Sequence, residues 1–361
     1  MNKNLVSVIV PAYQPDEKMI YTLQGLVESG FYDILVVDDG SSEECKEVFD
    51  KVEQMAECTL LRHPVNKGKG AALKTAINYF IEARKDKEVV VTVDADGQHL
   101  VKDIEEVSRV ALETNNVVFG VRNFSDPKVP TRSKLGNNIT ATVFRLFFGM
   151  KLRDTQTGLR AFPKVYLPDM GVVEGDRYEY ETNVLLHMNR NQIPFEQVEI
   201  ATVYIEENKS SHFRAVRDSL RIYALIIKYL FSSVAAALID TVVFYILKRW
   251  AVLAFIPIPL TYSATIFARI ISSLVNYGIN AKHVFKDDTN KATFVKYYIL
   301  AAIQLGISAT LVYIVEHVLQ ISSPLLSTIA KAVIDTILFF FSFRIQHKWV
   351  FNNKDNKKGN N

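Results

Sequence analysis

Four apolar runs in the last third of the chain, residues 229–247, 260–279, 297–315 and 325–343, most constrain what it can fold into. Each is about 19–20 residues long, and a helix needs about 20 apolar residues to cross the hydrocarbon core of a bilayer. Lipid offers no partner to an open backbone N–H or C=O, so runs of this kind enter it as helices. One run alone reads as the core helix of a soluble protein. Four in succession argue for a membrane module.

The runs hold Asp240, Arg269, Lys331 and Asp335. Charges at such depth face other helices or a cavity. They either pair to hold the bundle or line a polar path. Positive charge gathers in Lys209, Arg214, Arg217, Arg221 and Lys228 before the first run, in Lys282, His283, Lys286, Lys291 and Lys296 between the second and third, and in Arg344, Lys348, Lys354, Lys357 and Lys358 after the fourth. The other two loops carry only Lys248 and Arg249, so the positive-inside rule places both termini in the cytoplasm, with that one pair against it. Asn276–Phe285 and Ser342–Phe351 share an aromatic, an isoleucine, a polar amide, a basic residue and a final Val-Phe in step. Two hairpins of one design are expected. Just before the first run, Arg214, Arg217, Arg221 and Lys228 fall on one helical face and Val216, Leu220, Tyr223 and Ile227 on another, the pattern of a helix lying on an anionic membrane surface.

The first two-thirds of the 361 residues have a soluble composition. Strand patterns at 6–10, 34–37, 59–62, 89–93 and 117–121 alternate with helix patterns at 16–29, 43–57, 70–84 and 101–113. This alternation predicts a mostly parallel, doubly wound sheet. Residues 122–225 are less regular, with helices expected at 134–148 and 181–191 and a turn-rich stretch at 154–160. A net charge of +3 gives no argument for nucleic acid, and two cysteines, Cys45 and Cys58, lack metal spacing and suit a reducing compartment. The N-terminal apolar run has no small-residue cleavage site and reads as a first strand.

The chemistry sits where strands end. Val89-Val-Val-Thr-Val runs into Asp94-Ala-Asp96-Gly-Gln98-His99. Two carboxylates and an amide at the carboxyl end of a buried strand lie where open α/β sheets bind ligands, and they suit one hard divalent cation shared with a phosphate. Pro11-Ala12-Tyr13 ends the first strand, Asp38-Asp39-Gly40-Ser41 ends the second, and Asn66-Lys67-Gly68-Lys69-Gly70 opens a helix as a basic, glycine-rich loop suited to phosphate. Asp-Gly-Ser alone is a turn; the four together in this order are specific.

On these motifs the first roughly 220 residues resemble the family 2 glycosyltransferases of GT-A (Rossmann-like) fold, in the branch of dolichyl-phosphate mannose synthase and the bacterial polyprenyl-phosphate glycosyltransferases. The last roughly 130 resemble the GtrA-like membrane domain. The resemblance implies a GT-A domain at 1–210, an amphipathic segment at 211–228, an all-α four-helix transmembrane domain of two hairpins at 229–351 and a polar tail at 352–361. It implies that Pro11, Ala12, Tyr13 and Asp39 hold the nucleoside of a GDP- or UDP-linked sugar, with Lys67 and Gly68 near the nucleotide. Asp94, Asp96 and Gln98 would hold Mg²⁺ or Mn²⁺ against the diphosphate. Arg122, at the family's Gly-x-Arg position, would grip a polyprenyl monophosphate with Arg132 and Ser133. The segment Asp154-Thr-Gln156-Thr157-Gly158-Leu-Arg160-Ala-Phe162 would wall the sugar site. Glu179 and Glu181 would lie near the sugar as orienting groups, and Ser211, His212, Phe213 and Arg214 would close over the diphosphate. His99 reads as structural support beside the metal ligands.

The expected activity is inverting, metal-dependent transfer to the lipid phosphate at the cytoplasmic face of the cell membrane, for envelope glycosylation. A homo-oligomer stays open. A processive polysaccharide synthase is the alternative enzyme, but those relatives carry Gln-x-x-Arg-Trp, and Lys248-Arg249-Trp250 has no glutamine three residues before the arginine. Translocation of the glycolipid is the alternative role for the membrane part, with Asp240, Arg269, Lys331 and Asp335 lining the way.

Overall fold

The computed structural model describes residues 1–124, 129–202, 215–249, 260–285, 291–318, 320 and 324–351. The chain divides into two compact units, Met1–Ile222 and Tyr223–Asn361.

In the first unit the strands are Val6–Ala12 (β1), Ile34–Asp38 (β2), Cys58–Arg62 (β3), Val89–Thr92 (β4), Val117–Arg122 (β5), Arg160–Pro163 (β6) and Phe195–Ile200 (β7). The helices are Glu17–Glu28 (α1), Lys46–Glu53 (α2), Lys69–Ala83 (α3), Val101–Thr114 (α4), Thr131–Val143 (α5), Leu167–Gly171 (α6) and Glu179–Asn191 (α7). Asp16 starts α1 by accepting the Lys18 N–H at 2.9 Å, one of the donors that a first helical turn leaves open. Val8, Val10, Ile34, Val36, Val91 and Val118 have no or almost no exposed surface and form the middle of the core. Each such side chain contributes about 1.5–3 kcal/mol by leaving water.

The seven strands run in the order β3-β2-β1-β4-β6-β5-β7. β1 pairs in parallel with β2 on one side and β4 on the other, so a topological switch point lies between them. The expectation of a mostly parallel sheet needs one correction. β6 runs antiparallel to both β4 and β5 and separates them. It is only four residues long and ends in proline, so no periodic signal marks it. Its position matters: Thr92 at the end of β4 faces Arg160 at the start of β6, which brings the residues before Arg160 to the carboxyl end of β4. The helix expected at 134–148 begins at Thr131 and ends in a π-helical turn, Phe144–Phe148.

The second unit contains α8 from Ala215 (its first residues belong to the first unit) to Arg249, then Leu260–Ile279 (α9), Lys291–Val318 (α10) and Pro324–Ile345 (α11). These helices cover the four apolar runs. Among the described residues one segment, Ile227–Leu247, with mean hydropathy 2.0, is long and apolar enough to cross a membrane. Arg269 Nε lies 3.6 Å from Asp240 Oδ1, and Ser272 Oγ donates to the same oxygen at 3.0 Å. Asp240 and Arg269 thus pair between α8 and α9. The side chains of Lys331 and Asp335, those of 215–226, and all of Ser211, His212, Phe213 and Arg214 lie outside the described residues.

Candidate active site

Asp94 and Lys69 form the centre of the site. Lys69 opens α3, and its Nζ lies 2.7 Å from Asp94 Oδ1 and 3.0 Å from Glu181 Oε1 in the first turn of α7. The ammonium thus ties the end of β4 to two helix starts. Gly68, at φ +108°, and Gly70 allow this approach. A Cβ on Gly68 would stand 2.4 Å from the Asp176 carbonyl oxygen, and one on Gly70 2.5 Å from Tyr180 Cβ. Burial pushes the Asp94 carboxyl up, but the Lys69 ammonium outweighs it, with help from His99, and holds the group down at about 2. Burial and then the Asp94 charge push the Asp96 carboxyl above its ordinary value. Burial keeps His99 below the usual imidazole range against the pull of both aspartates. Its Nδ1 accepts the Asp94 N–H at 3.2 Å, which anchors the turn, and Asp96 Oδ1 accepts the Gln98 N–H at 3.0 Å.

Pro11, Ala12 and Asp39 gather at the neighbouring strand ends, where Asp39 N–H donates to the Ala12 carbonyl at 2.8 Å and Tyr13 is 40% exposed. The Asp39 carboxylate is buried and has partners within the chain. It accepts the Lys67 N–H at 2.9 Å and the Gly68 N–H at 2.7 Å, and His63 Nδ1 lies 2.7 Å away. His63 Nε2 is in turn 2.9 Å from Thr75 Oγ1. Asp39 therefore fastens the 66–70 loop to the end of β2. The Lys67 side chain is exposed, while Lys69 is the lysine that turns inward.

Arg122 ends β5 and is held by Asp154, whose side chain is fully buried. Arg122 Nε donates to Oδ2 at 2.7 Å and Nη2 to Oδ1 at 3.1 Å, a bidentate pair. The guanidinium also lies 5.2 Å from the Phe124 ring centre. The 154–160 segment forms a hydrogen-bonded wall. Asn137 Oδ1 accepts the Thr155 N–H at 3.1 Å, Thr92 Oγ1 donates to the Gly158 carbonyl at 2.7 Å, and Arg160 donates to the Thr157 and Glu181 carbonyls at 2.9 Å each. Gly158 passes so close to Asp94 that a Cβ there would lie 2.2 Å from Asp94 Oδ2. Gln156 is exposed, and Ser133 is half-buried in the first turn of α5. The Arg132 side chain lies outside the described ones.

Asp94, Asp96 and the Gln98 amide supply hard oxygen donors from one turn, a set that suits Mg²⁺ or Mn²⁺. Burial first and then the nearby Asp94 charge raise the Asp96 carboxyl, and a cation between the two carboxylates would relieve that repulsion. No group of three or more His, Cys, Asp or Glu side chains suited to a metal occurs among the described residues. The set fits an ion that takes its remaining ligands from a diphosphate and water.

The structure thus assembles Lys69, Asp94, Glu181 and Gly158 around one point and places Arg122 at the end of β5, on the far side of β6 in the same sheet. From sequence Lys69 enters only as part of the phosphate-suited loop 66–70 and Gly158 only as part of the wall 154–162, neither with a role of its own. Lys69 had a signal, its place between two glycines at the first turn of a helix. The nearness of Gly158 depends on the unforeseen β6.

Two family models match the chain: glycosyl transferase family 2 over residues 7–165, and the GtrA/DPMS transmembrane domain over residues 228–351. An uncharacterized protein of Methanocaldococcus jannaschii is 30% identical over 236 residues, 64% of this chain and 95% of that protein. The UDP-N-acetylglucosamine–dolichyl-phosphate N-acetylglucosaminyltransferase of Methanococcus voltae is 30% identical over 226 residues, 57% of this chain and 88% of the relative. A dolichyl-phosphate β-glucosyltransferase of Trichomonas vaginalis is 30% identical over 178 residues, 44% of this chain and 53% of the relative. Among solved structures, glucosyl-3-phosphoglycerate synthase of Mycobacterium tuberculosis aligns with a TM-score of 0.45 at 16% identity, over 63% of this chain and 78% of that one. With its site at the carboxyl ends of the sheet and both models matched, the chain is a glycosyltransferase of family 2 that carries a GtrA/DPMS-type transmembrane domain.

Proposed function

We propose that this enzyme transfers a monosaccharide from a nucleotide sugar to a polyprenyl monophosphate at the cytoplasmic face of the membrane, with inversion at the anomeric carbon. The observation that carries the reading is the presence of two charge centres at the carboxyl ends of two parallel-running strands of one sheet. Asp94, kept ionised by Lys69, lies in the turn just after β4, and Arg122, kept in place by Asp154, ends β5. The first suits the diphosphate end of a donor with its counter-ion, the second an anionic acceptor. The relatives from M. voltae and T. vaginalis, whose names give dolichyl phosphate as acceptor, support the lipid, and the former supports a UDP-linked donor. We assign the transferase to 1–210, a surface-lying segment to 211–228, four spans to 229–351 and a cytoplasmic tail to 352–361.

In this reading Pro11, Ala12, Tyr13 and the Asp39-fastened loop with Lys67 and Gly68 hold the nucleoside. Asp94, Asp96 and Gln98 hold Mg²⁺ or Mn²⁺, which neutralises charge on the departing diphosphate when bound. Lys69 adds a fixed positive charge beside it. Arg122, with Arg132 and Ser133, orients the lipid phosphate. One of its oxygens attacks the anomeric carbon as the bond to the diphosphate breaks, and the electron pair leaves with the nucleoside diphosphate. A phosphate monoester loses its second proton near pH 6, so the attacking oxygen needs no general base. Glu181 and Gln156 then orient the sugar.

The test uses membranes containing the full chain, labelled nucleotide sugars of several kinds, and the presence or absence of EDTA. Label extracted with the lipid, lost with EDTA and lost in Asp96→Ala, is the expected result. A water-soluble or polymeric product, or undiminished transfer without divalent ions, would overturn it.

A further inference from the structure

A buried histidine that the proposed chemistry does not use stands behind the donor loop. His63 directly follows β3 and is 8% exposed. Its two ring nitrogens join two elements. Nδ1 lies 2.7 Å from Asp39 Oδ1, just past the end of β2, and Nε2 lies 2.9 Å from Thr75 Oγ1 in α3. An ionised carboxylate only accepts, so Nδ1 is the donor to Asp39. The main chain is fixed at the same place, because the His63 N–H donates to the Asp38 carbonyl at 2.8 Å.

Both oxygens of Asp39 are occupied, and the residue is 2% exposed. Oδ1 accepts from His63 and from the Lys67 N–H at 2.9 Å, and Oδ2 accepts the Gly68 N–H at 2.7 Å. N–H groups at a glycine-rich helix start commonly face a phosphate. These two turn inward to the carboxylate instead. Gly40, at φ +69°, lets the loop come this close, since a Cβ there would stand 2.2 Å from the Val65 carbonyl carbon. Lys69 follows Gly68 and reaches Asp94 at 2.7 Å. One run of fixed contacts therefore leads from Thr75 through His63 and Asp39 to the loop and on to the cation turn. Apolar side chains of similar volume often hold a fold as well as a buried polar set does. A fully bonded set at the carboxyl ends of the strands instead makes the loop rigid.

We infer that His63, with Thr75 behind it, is a positioning residue for the sugar donor: it holds the Asp39 carboxylate as an inward clamp on the 66–68 loop, so that Asp39 serves the nucleotide through the loop and not by touching its base. This role rests on the nucleotide-sugar reading of the site. The clamp is blind to the base, because the carboxylate has almost no surface to offer it. It acts on the diphosphate end, because the loop leads straight into Lys69 and its contact with Asp94.

The test compares His63→Asn with His63→Gln in the full chain in nanodiscs. The asparagine amide can stand in for Nδ1 and keep the bond to Asp39, while the glutamine amide stands in for Nε2 and keeps only the bond to Thr75. Both lose the ring, so a merely structural role would make the two variants alike. Hydrogen exchange at the Lys67 and Gly68 amides should quicken about tenfold in His63→Gln and stay near wild type in His63→Asn. The dissociation constant for UDP with Mn²⁺ (GDP should the wild type prefer it) should follow the same order, rising about tenfold in His63→Gln, the weight of one hydrogen bond to a charged group. The preference over the matching amino-base nucleotide, CDP or ADP, should be unchanged. Thr75→Val keeps the side-chain shape and serves if the histidine variants fold poorly. It should weaken nucleotide binding about threefold alone and add nothing to His63→Asn, which has already lost the bond between ring and hydroxyl. Equal effects of the two His63 variants, faster loop exchange with unchanged nucleotide affinity, an altered base preference, or no effect of Thr75→Val would overturn the inference. Failure of the wild-type chain to bind either UDP or GDP would instead count against the proposed function, and it would be seen before any variant is compared.

Discussion

The Lys69 ammonium sits between Asp94 at 2.7 Å and Glu181 at 3.0 Å, a single cation shared by two carboxylates from different elements. Removing it leaves two mostly buried negative charges facing each other, and losing one partner of a buried pair is costly. Lys69→Met should therefore lower kcat by about 10²-fold, the scale seen when one preorganised charge-stabilising group is lost. It should also free Asp94 to rise from about 2 toward the ordinary carboxylate range. The sign for stability follows. A depressed acid contributes stability that is present above its unfolded value and lost as pH falls through the folded one. The wild-type chain should thus lose stability between about pH 4 and 2, and Lys69→Met should lose less over that window. Steady-state transfer and thermal midpoints at pH 2–5 check both parts.

Asp154 fixes Arg122 through two parallel hydrogen bonds and also accepts the Gln156 N–H at 3.0 Å. Asp154→Asn keeps the shape but removes the charge from a fully buried position. A loss of about 2–3 kcal/mol is expected, below the 3–5 kcal/mol of a wholly buried pair because Arg122 is partly exposed. With the arginine loosened, the KM for the lipid phosphate should rise at least tenfold while the KM for the nucleotide sugar changes little. An equal rise in both would contradict the assignment of Arg122 to the acceptor. Arg122→Lys should share the acceptor defect, since an ammonium cannot reproduce the fork.

The valine-rich strands β1, β2, β4 and β5 were legible because buried parallel strands are continuous apolar runs whose identity does not depend on partners. The Asp94-x-Asp96 turn was legible for the same reason, as the point where such a run breaks. β6 was not. Its four residues, Arg160 to Pro163, contain a buried arginine, and their strand character comes from pairing with β4 and β5. Lys67 and Lys69 are alike in sequence, and only packing of the 174–180 region against α3 decides which one turns inward. In the second unit the exit-segment repeat was legible from residue identities. Its extension to Ile227-Lys228-Tyr229 and Val295-Lys296-Tyr297 was not, because a match three residues long gains meaning only from the paired contacts of Tyr229 with Phe343 and of Tyr297 with Tyr277.

Cys58, at the start of β3, has its thiol pushed up to about 12 by burial and then by the Glu57 charge. Burial also raises Cys45. The thiolate is the reactive form, so neither cysteine should be alkylated appreciably by iodoacetamide at pH 8 in the folded chain, and both should react in denaturant. Intact mass resolves the two states. Because an unfolded thiol ionises near 9.0 and the folded Cys58 does not until about 12, the unfolded state releases a proton that the folded state keeps. Stability should fall as pH rises from 9 toward 12, and Cys58→Ala should flatten that fall. Rapid alkylation of Cys58 at pH 8 would contradict its burial.

Gly158 separates a steric demand at the site from one on the fold. A Cβ there meets Asp94 Oδ2 at 2.2 Å, Cγ at 2.6 Å and Oδ1 at 2.7 Å. The whole carboxylate must move, and the Lys69 bond at 2.7 Å opposes the movement. Gly158→Ala should therefore displace Asp94 from the cation-binding turn and lower transfer by 10²-fold or more, since about 1 Å of misplacement costs that much. The apparent Mn²⁺ requirement should rise, because a ligand is lost rather than a charge. Gly136, within α5, provides the contrast: a Cβ there meets nothing within 4 Å. Gly136→Ala should stabilise the chain by about 0.5–1 kcal/mol through helix propensity and leave the Mn²⁺ titration unchanged. Metal titrations of activity with thermal midpoints of both variants test this. If Gly158→Ala keeps full activity at the wild-type Mn²⁺ concentration, Asp94 does not need its present position, and the reading of β4's end as the cation turn falls with it.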